Sequence, residues 1–244
     1  MPQLGLINNL TSSGIESAAS FTNDYSLAFE GDDEYVDISI TNFMDADFSI
    51  GYWAKNDGSS PDYWRGISFS PTYQTGMFIA HSRIVGQDSD DTVWNKSFPS
   101  VGGTNGGSHG EWHYRVVTYD ISEKTFTLYV DDATPTTEVL VGNLKTDEDM
   151  IRIGRSSGYY FEGNIDEVAV WSSVLTSDEV AEIYGNTNID LSENDGNYVS
   201  SSNLIGYWRM GDGDTFDTIT DNSTNSNDGT MINMVSGDIE ENTP

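Results

Sequence analysis

The stretch from Ile151 to Tyr184, IRIGRSSGYYFEGNIDEVAVWSSVLTSDEVAEIY, constrains the fold more than any other part of the chain. Two apolar-alternating runs, 151–154 and 165–171, read as strands, with a Gly- and Tyr-rich turn between them. In the second run the two-residue period places Ile165, Glu167, Ala169 and Trp171 on one face, and Asp166, Val168 and Val170 on the other. Asp166 thus opens an otherwise apolar face, and an unpaired buried carboxylate is costly. It calls for a cation, a cluster of backbone N–H groups, or solvent at the strand end. A short helix follows over 176–184. Thr176 or Ser177 caps it, Asp178 and Glu179 sit where the helix dipole favours them, and Gly185 stops it. Val180, Ile183 and Tyr184 give it one apolar face at i, i+3 and i+4.

The alternation recurs along the chain. Residues 1–24 are polar and read as an irregular arm ending in an edge strand. YSLAFEGDDEYVDISI (25–40) reads as strand, acidic turn, strand, and FSIGYWAK (48–55) as a clean strand. Residues 65–69 and 76–81 fit a meander. The Gly-, Ser- and Asp-rich segment 87–110, with GGTNGG at its centre, reads as a long loop. EWHYRVVTY (111–119) and TFTLYVD (125–131) are strands joined by a hairpin-length turn. Residues 186–203 read as a polar linker before a last strand, LIGYWRM (204–210). Many short strands at roughly ten-residue spacing, with a single helix, indicate an all-β antiparallel sandwich.

Composition narrows the partners. Ten Lys and Arg stand against 40 Asp and Glu, a net charge of −30 over 244 residues. Phosphate backbones and anionic lipid surfaces would be repelled, so nucleic acid and membrane insertion are not expected. With zero cysteines there is no disulfide framework and no thiolate metal site. The first residues, MPQLGLINNL, show neither a basic n-region nor a long apolar run, so no signal peptide is visible.

Four stretches together resemble the laminin-G-like, concanavalin A-like jelly-roll domains: SLAFEGDDEYVDI (26–38), FSIGYWAK (48–55), EWHYRVVTYD with TFTLYVDD (111–132), and the 153–184 segment. The resemblance implies a jelly-roll sandwich over 25–232, flanked by an arm (1–24) and a tail (233–244). A strand and turn that often open such domains resemble GYWRMGDGDTFDTITDNSTNSNDGT, which here comes last (206–230). The expectation is a permuted strand closing the same sandwich. This ending and the tail GDIEENTP also resemble laminin-G-like proteins of marine bacteriophages.

The resemblance further implies calcium at the sandwich edge, where the acidic turn meets the IDEV strand. Glu30, Asp33 and Asp166 match the family's acidic positions, with the Gly31 carbonyl as a backbone ligand; hard cations favour such oxygen sets. Glu30 stands where the family more often has Asp. The clusters Asp88/Asp90/Asp91 and Asp212/Asp214/Asp217 lack the EF-hand spacing and read as surface turns. Laminarinase-type hydrolases share the fold, but no Glu-x-Asp-x-x-Glu run supplies a carboxylate pair, so catalysis is not expected. His81, His109 and His113 read as ordinary polar residues. Sugar rings stack on exposed aromatics, and the turn candidates are Tyr63, Trp64, Trp94, Tyr159 and Tyr160. Trp53, Trp112 and Trp171 alternate into strands and read as core. The expected role is a non-catalytic module on a bacteriophage virion surface, contacting other virion proteins or itself and binding host-surface glycans. The alternative is a secreted or cell-surface carbohydrate-binding lectin module and, behind it, a laminarinase-type glycoside hydrolase.

Overall fold

The computed structural model describes residues 21–57, 65–69, 77–90, 92–145 and 149–244. The first strands are β1 (Ser26–Glu30), β2 (Tyr35–Ser39), β3 (Phe48–Asn56), β4 (Arg65–Ser68), β5 (Phe78–Ala80), β6 (Arg83–Gln87) and β7 (Val93–Ser97). Next come β8 (Ser100–Val101), β9 (Thr104–Asn105), β10 (Trp112–Asp120), β11 (Thr125–Val130), β12 (Thr136–Val139), β13 (Met150–Ile153), β14 (Arg155–Ser156) and β15 (Tyr159–Tyr160). The chain ends with β16 (Glu162–Trp171), helix α1 (Ser177–Gly185), β17 (Leu204–Trp208), β18 (Thr218–Ile219), β19 (Gly229–Ile232) and β20 (Ile239–Glu240).

Two antiparallel sheets face each other. Sheet A runs β12-β11-β10-β3-β16-β1-β20, with β17 also paired to β16, and sheet B runs β18-β19-β2-β13-β4-β5-β6-β7. Alternate residues turn inward, so Leu27, Phe48, Ile50, Val117 and Leu128 of sheet A meet Val36, Ile38, Ile67, Ile79 and Ile84 of sheet B in one core. The fold is the antiparallel sandwich with one short helix that the alternation predicts.

Several local expectations change. The acidic turn does not close a hairpin: β1 pairs β16 and β20, whereas β2 pairs β13 and β19. The turn therefore crosses from one sheet to the other at the sandwich edge, helped by Gly31 at φ +89. In β16 the strict alternation fails. A register irregularity against β3 falls between Asp166 and Ala169, and Glu167 has φ +49. The extra residue reverses the faces, so Ile165, Val168 and Val170 share the inter-sheet core while Ala169 and Trp171 turn outward.

That outward face is not solvated. Trp53, Tyr114, Val116, Ala169 and Trp171 form a second apolar cluster with Val180 and Ile183 of α1 and with Ile189, Leu191 and Tyr198. Trp53 and Trp171 are thus buried under the helix rather than between the sheets, and Trp112 is half-buried against the same cluster. Residues 186–203 are a cover, not a linker. Tyr198 accepts from Trp171 Nε1 at 2.9 Å and donates to the Leu191 carbonyl at 2.8 Å. Helix α1 begins in a capping box in which Thr176 Oγ1 accepts from the Glu179 N–H and Glu179 Oε2 accepts from the Thr176 N–H. Glu179 reaches further, accepting from Ser200 Oγ and the Val199 N–H, and so ties the helix to that cover.

The end of the chain serves both sheets. β17 lies on β16, β19 lies on β2, and β20 pairs with β1. Asn242 donates to Asn164 Oδ1 at 2.8 Å and accepts from Ser26 Oγ. Residues 239–242 therefore dock on the chain's own sheet rather than reaching outward as an arm.

Candidate functional site

The pairing register assigns the outward side chains of sheet B. Asp37, Arg152, Ser68, Phe78, Val85 and Asn95 stand opposite one another across β2, β13, β4, β5, β6 and β7 and form one row. The adjacent row holds Arg65, Ala80, Arg83 and Ser97. Arg65 joins it because the β4–β5 register shifts between Arg65 and Ile67, so Arg65 faces out while Ile67 faces the core. The hairpin β14–β15 folds over these rows. Arg65 Nη1 donates to Ser156 Oγ at 3.2 Å, and Ser68 Oγ donates to the Arg155 carbonyl at 2.7 Å.

The result is an arginine–aromatic groove. The Arg65 guanidinium carbon lies 3.7 Å from the Phe78 ring centre and 4.6 Å from that of Tyr159. The groove holds about 450 Å³, within the range of ligand clefts. Arg83, Val85, Val93 and Asn95 line its floor and far wall, with Ser157 and Tyr159 on the hairpin side. Beside it, Arg152 pairs with Asp37 through two contacts of 2.6 and 3.1 Å. Tyr35 there carries Arg152 and Arg155 at 4.8 and 4.7 Å, and Arg155 is 5.2 Å from the Tyr160 ring centre.

Among the aromatic candidates, Tyr159 lines this groove and is 39% exposed, whereas Tyr160, on the same hairpin, lies against Arg155 outside the groove lining. Tyr63 and Trp64 lie outside the described residues. Trp94 is corrected. It belongs to β7 rather than to a loop, and its ring stacks on Phe126 at 4.8 Å against the core. Gly86 makes this possible, since a Cβ there would sit 2.3 Å from the indole. The segment expected as one long loop thus holds β7 and the β8–β9 pair.

The four expected calcium ligands do not converge. Glu30 pairs with Glu162, whereas Asp166 lies four residues further along β16, about 13 Å at the usual strand rise. Instead the carboxylates of Glu30, Asp32 and Glu34 lie within 4.8 Å of one another. Asp33 is not in that group. Glu34 Oε2 accepts from the Glu30 N–H, and burial with the neighbouring acids raises the Glu34 pKa.

Asp166 is fully buried and has its partners: Asn23 Nδ2 and the Glu167 N–H each donate to it at 2.8 Å. Burial and the adjacent Glu167 hold its pKa well above the usual carboxylate range. Glu167, buried at the bulge, is pushed up to about 7 by desolvation against the pull of Tyr207 and Arg209. Arg209 Nε is 3.4 Å from Glu167, and its Nη2 is 3.4 Å from Asp212, which also accepts from the Asp24 and Tyr25 N–H groups. Asp212 is therefore a buried anchor for the entering chain, not a surface turn. Asp88 is buried too, accepting from the Asp90 and Thr92 N–H groups.

The histidines take structural partners. His81 Nδ1 lies 2.9 Å from the buried Arg115, and burial together with that charge lowers its pKa to about 3. His113 Nδ1 is 2.6 Å from Asp131. Ser108 Oγ stands 3.5 Å from His113 Nε2 but donates at 2.6 Å to Glu111, so its proton is directed away from the imidazole. That geometry does not prepare a nucleophile.

The arginines of the groove are the residues that sequence reading misses. Outward Arg positions on neighbouring strands of a strongly acidic chain were the available signal, but their register was not legible.

Sheet order, face assignment and groove can be set beside known proteins. A family model described as the concanavalin A-like lectin/glucanases superfamily matches residues 30–181, more than half of the chain. The chain belongs to this superfamily. No curated protein matches the sequence. Among solved structures, this superfamily member is similar to a candidate carbohydrate-binding protein from Bacteroides ovatus, at 16% identity and a TM-score of 0.61. The match covers 90% of this chain and 60% of the other, so the chain spans about 60% of that protein's length. A heptameric SAP-like pentraxin from Limulus polyphemus matches at 13% identity and a TM-score of 0.49, over 77% of this chain and 92% of that one. The CBM40 module of a Ruminococcus gnavus IT-sialidase matches at 14% and 0.49, over 66% and 97%.

Proposed function

We propose that this superfamily member is a non-catalytic, lectin-like carbohydrate-binding module, and that its site is the groove on the outer face of sheet B. The observation that carries this reading is the groove itself. It presents the partly exposed ring of Tyr159, over which Arg65 also lies, with Arg83 and Asn95 around about 450 Å³. Sugar recognition needs this combination, an aromatic plane for the C–H face of a ring and fixed polar groups for its hydroxyls. The Bacteroides ovatus neighbour, itself a candidate carbohydrate-binding protein, agrees with it at the level of fold.

The alternative role on a phage particle gains nothing from the tail, whose residues 239–242 are engaged by β1 and Asn164. A glycan array followed by calorimetry on the binding sugar tests the proposal. Tyr159→Ala should weaken binding roughly tenfold, about 1.4 kcal/mol. Trp94→Phe should leave it unchanged, because that ring packs on Phe126. Equal affinity of wild type and Tyr159→Ala would move the site elsewhere.

A further inference from the structure

We infer that the groove selects glycans bearing a carboxylate, of uronic or sialic type, with Arg83 as the residue that reads the charge; this rests on the carbohydrate-binding reading of the same site. The chain has four acids for every base, 40 against 10, yet the described lining of this groove contains two arginines and no carboxylate. Elsewhere three arginines are matched by charges or carbonyls, while Arg155, whose Nε also lacks an acceptor, is covered by the Tyr35 and Tyr160 rings. Arg152 is held by Asp37, Arg209 lies between Glu167 and Asp212, and buried Arg115 donates to backbone carbonyls and faces His81.

Arg83 differs. Among the described residues it has no hydrogen-bond or ion-pair partner, and its Nε is buried without an acceptor. A guanidinium presents a planar fork of donors that fits a carboxylate through two parallel bonds. The Arg83 Nη groups are not among the buried atoms, so they are the donors that a ligand carboxylate in the groove would meet. Arg65 is already fixed between Phe78 and Tyr159, which makes it a rigid second positive charge at the wall. The overall charge of −30 sharpens the choice. It opposes densely charged polyanions at long range, while a single carboxylate can be satisfied locally. The fitting ligand therefore carries isolated acid groups on an otherwise neutral sugar surface.

The test is calorimetry with matched probes. Trigalacturonate is compared with its methyl ester, and sialyllactose with lactose, for wild type, Arg83→Gln, Arg83→Lys and Tyr159→Ala. The acidic member of at least one pair should bind ten-fold or more tightly than its neutral partner, and the pair that does so identifies uronic or sialic chemistry. Arg83→Gln should abolish that preference, and Arg83→Lys should keep only part of it, since the charge remains but the fork is lost. Tyr159→Ala should weaken acidic and neutral members alike. Unchanged melting temperatures of the variants separate these effects from misfolding. If neutral and acidic members bind equally and Tyr159→Ala weakens both, the charge inference is overturned and the carbohydrate site stands. If no probe binds, the charge inference is overturned, and the glycan array decides the carbohydrate reading separately.

Discussion

Glu167 shows how one residue can oppose the fold that contains it. Its pKa rises from 4.5 to about 7, so the folded chain holds a proton that the unfolded chain releases between those values. Stability from this group is full below pH 4.5 and is lost as pH climbs to about 7. At about 1.4 kcal/mol per pKa unit, the loss is about 3 kcal/mol. His81 has the opposite sign. Its pKa falls from 6.5 to about 3, so its contribution is intact above pH 6.5 and is lost as pH falls. The two slopes oppose each other between pH 4.5 and 6.5. Glu167→Gln should therefore gain stability relative to wild type as pH rises from 5 to 7.5, measured by urea midpoints; parallel profiles would refute the assignment. At this scale the sequence was partly legible. Asp166 did need partners; one is the N–H of its neighbour Glu167, and the other is Asn23, 143 residues away in the chain. Nothing near Asp166 in sequence could name Asn23, because the β16 bulge decides where the side chain points. The groove arginines were hidden for the same reason: their meaning depends on register between strands.

Elements read better than their packing. Helix α1 falls where its cap and apolar spacing place it, because those signals are local. What it covers was not legible, since the second apolar cluster assembles residues from β3, β10, β16, α1 and the 186–203 segment. Ile183→Ala should cost about 2–5 kcal/mol in chemical denaturation. Thr176→Ala, losing only the cap, should cost about 1 kcal/mol. The acidic turn between β1 and β2 is the element where calcium would act, through Glu30, Asp32 and Glu34. A cation there would relieve the mutual repulsion of three carboxylates. Excess calcium over chelator should raise the thermal midpoint by mass action. Asp32→Asn should remove the rise, whereas Asp166→Asn should keep it. A flat response in the wild type would take calcium out of the account.

On the scale of the whole molecule, the sandwich was legible because strand alternation is a global pattern, whereas its completion by the last forty residues shows only in the pairing. β17, β19 and β20 serve both sheets, so truncation after Asn203 bares β16, β2 and β1 together. Such a chain should lose cooperative unfolding by circular dichroism. The helix and its cover also make the molecule unequal across its thickness. β3 and β16 are buried almost end to end, while β7 alternates between exposed and half-exposed residues. Amide hydrogen exchange should follow this gradient, slowest in β3 and β16 and fastest in β6 and β7. The groove is built on the fast side. A bound ligand should then write its presence into deuterium uptake at β6, β7 and the β14–β15 hairpin, leaving the clad sheet silent.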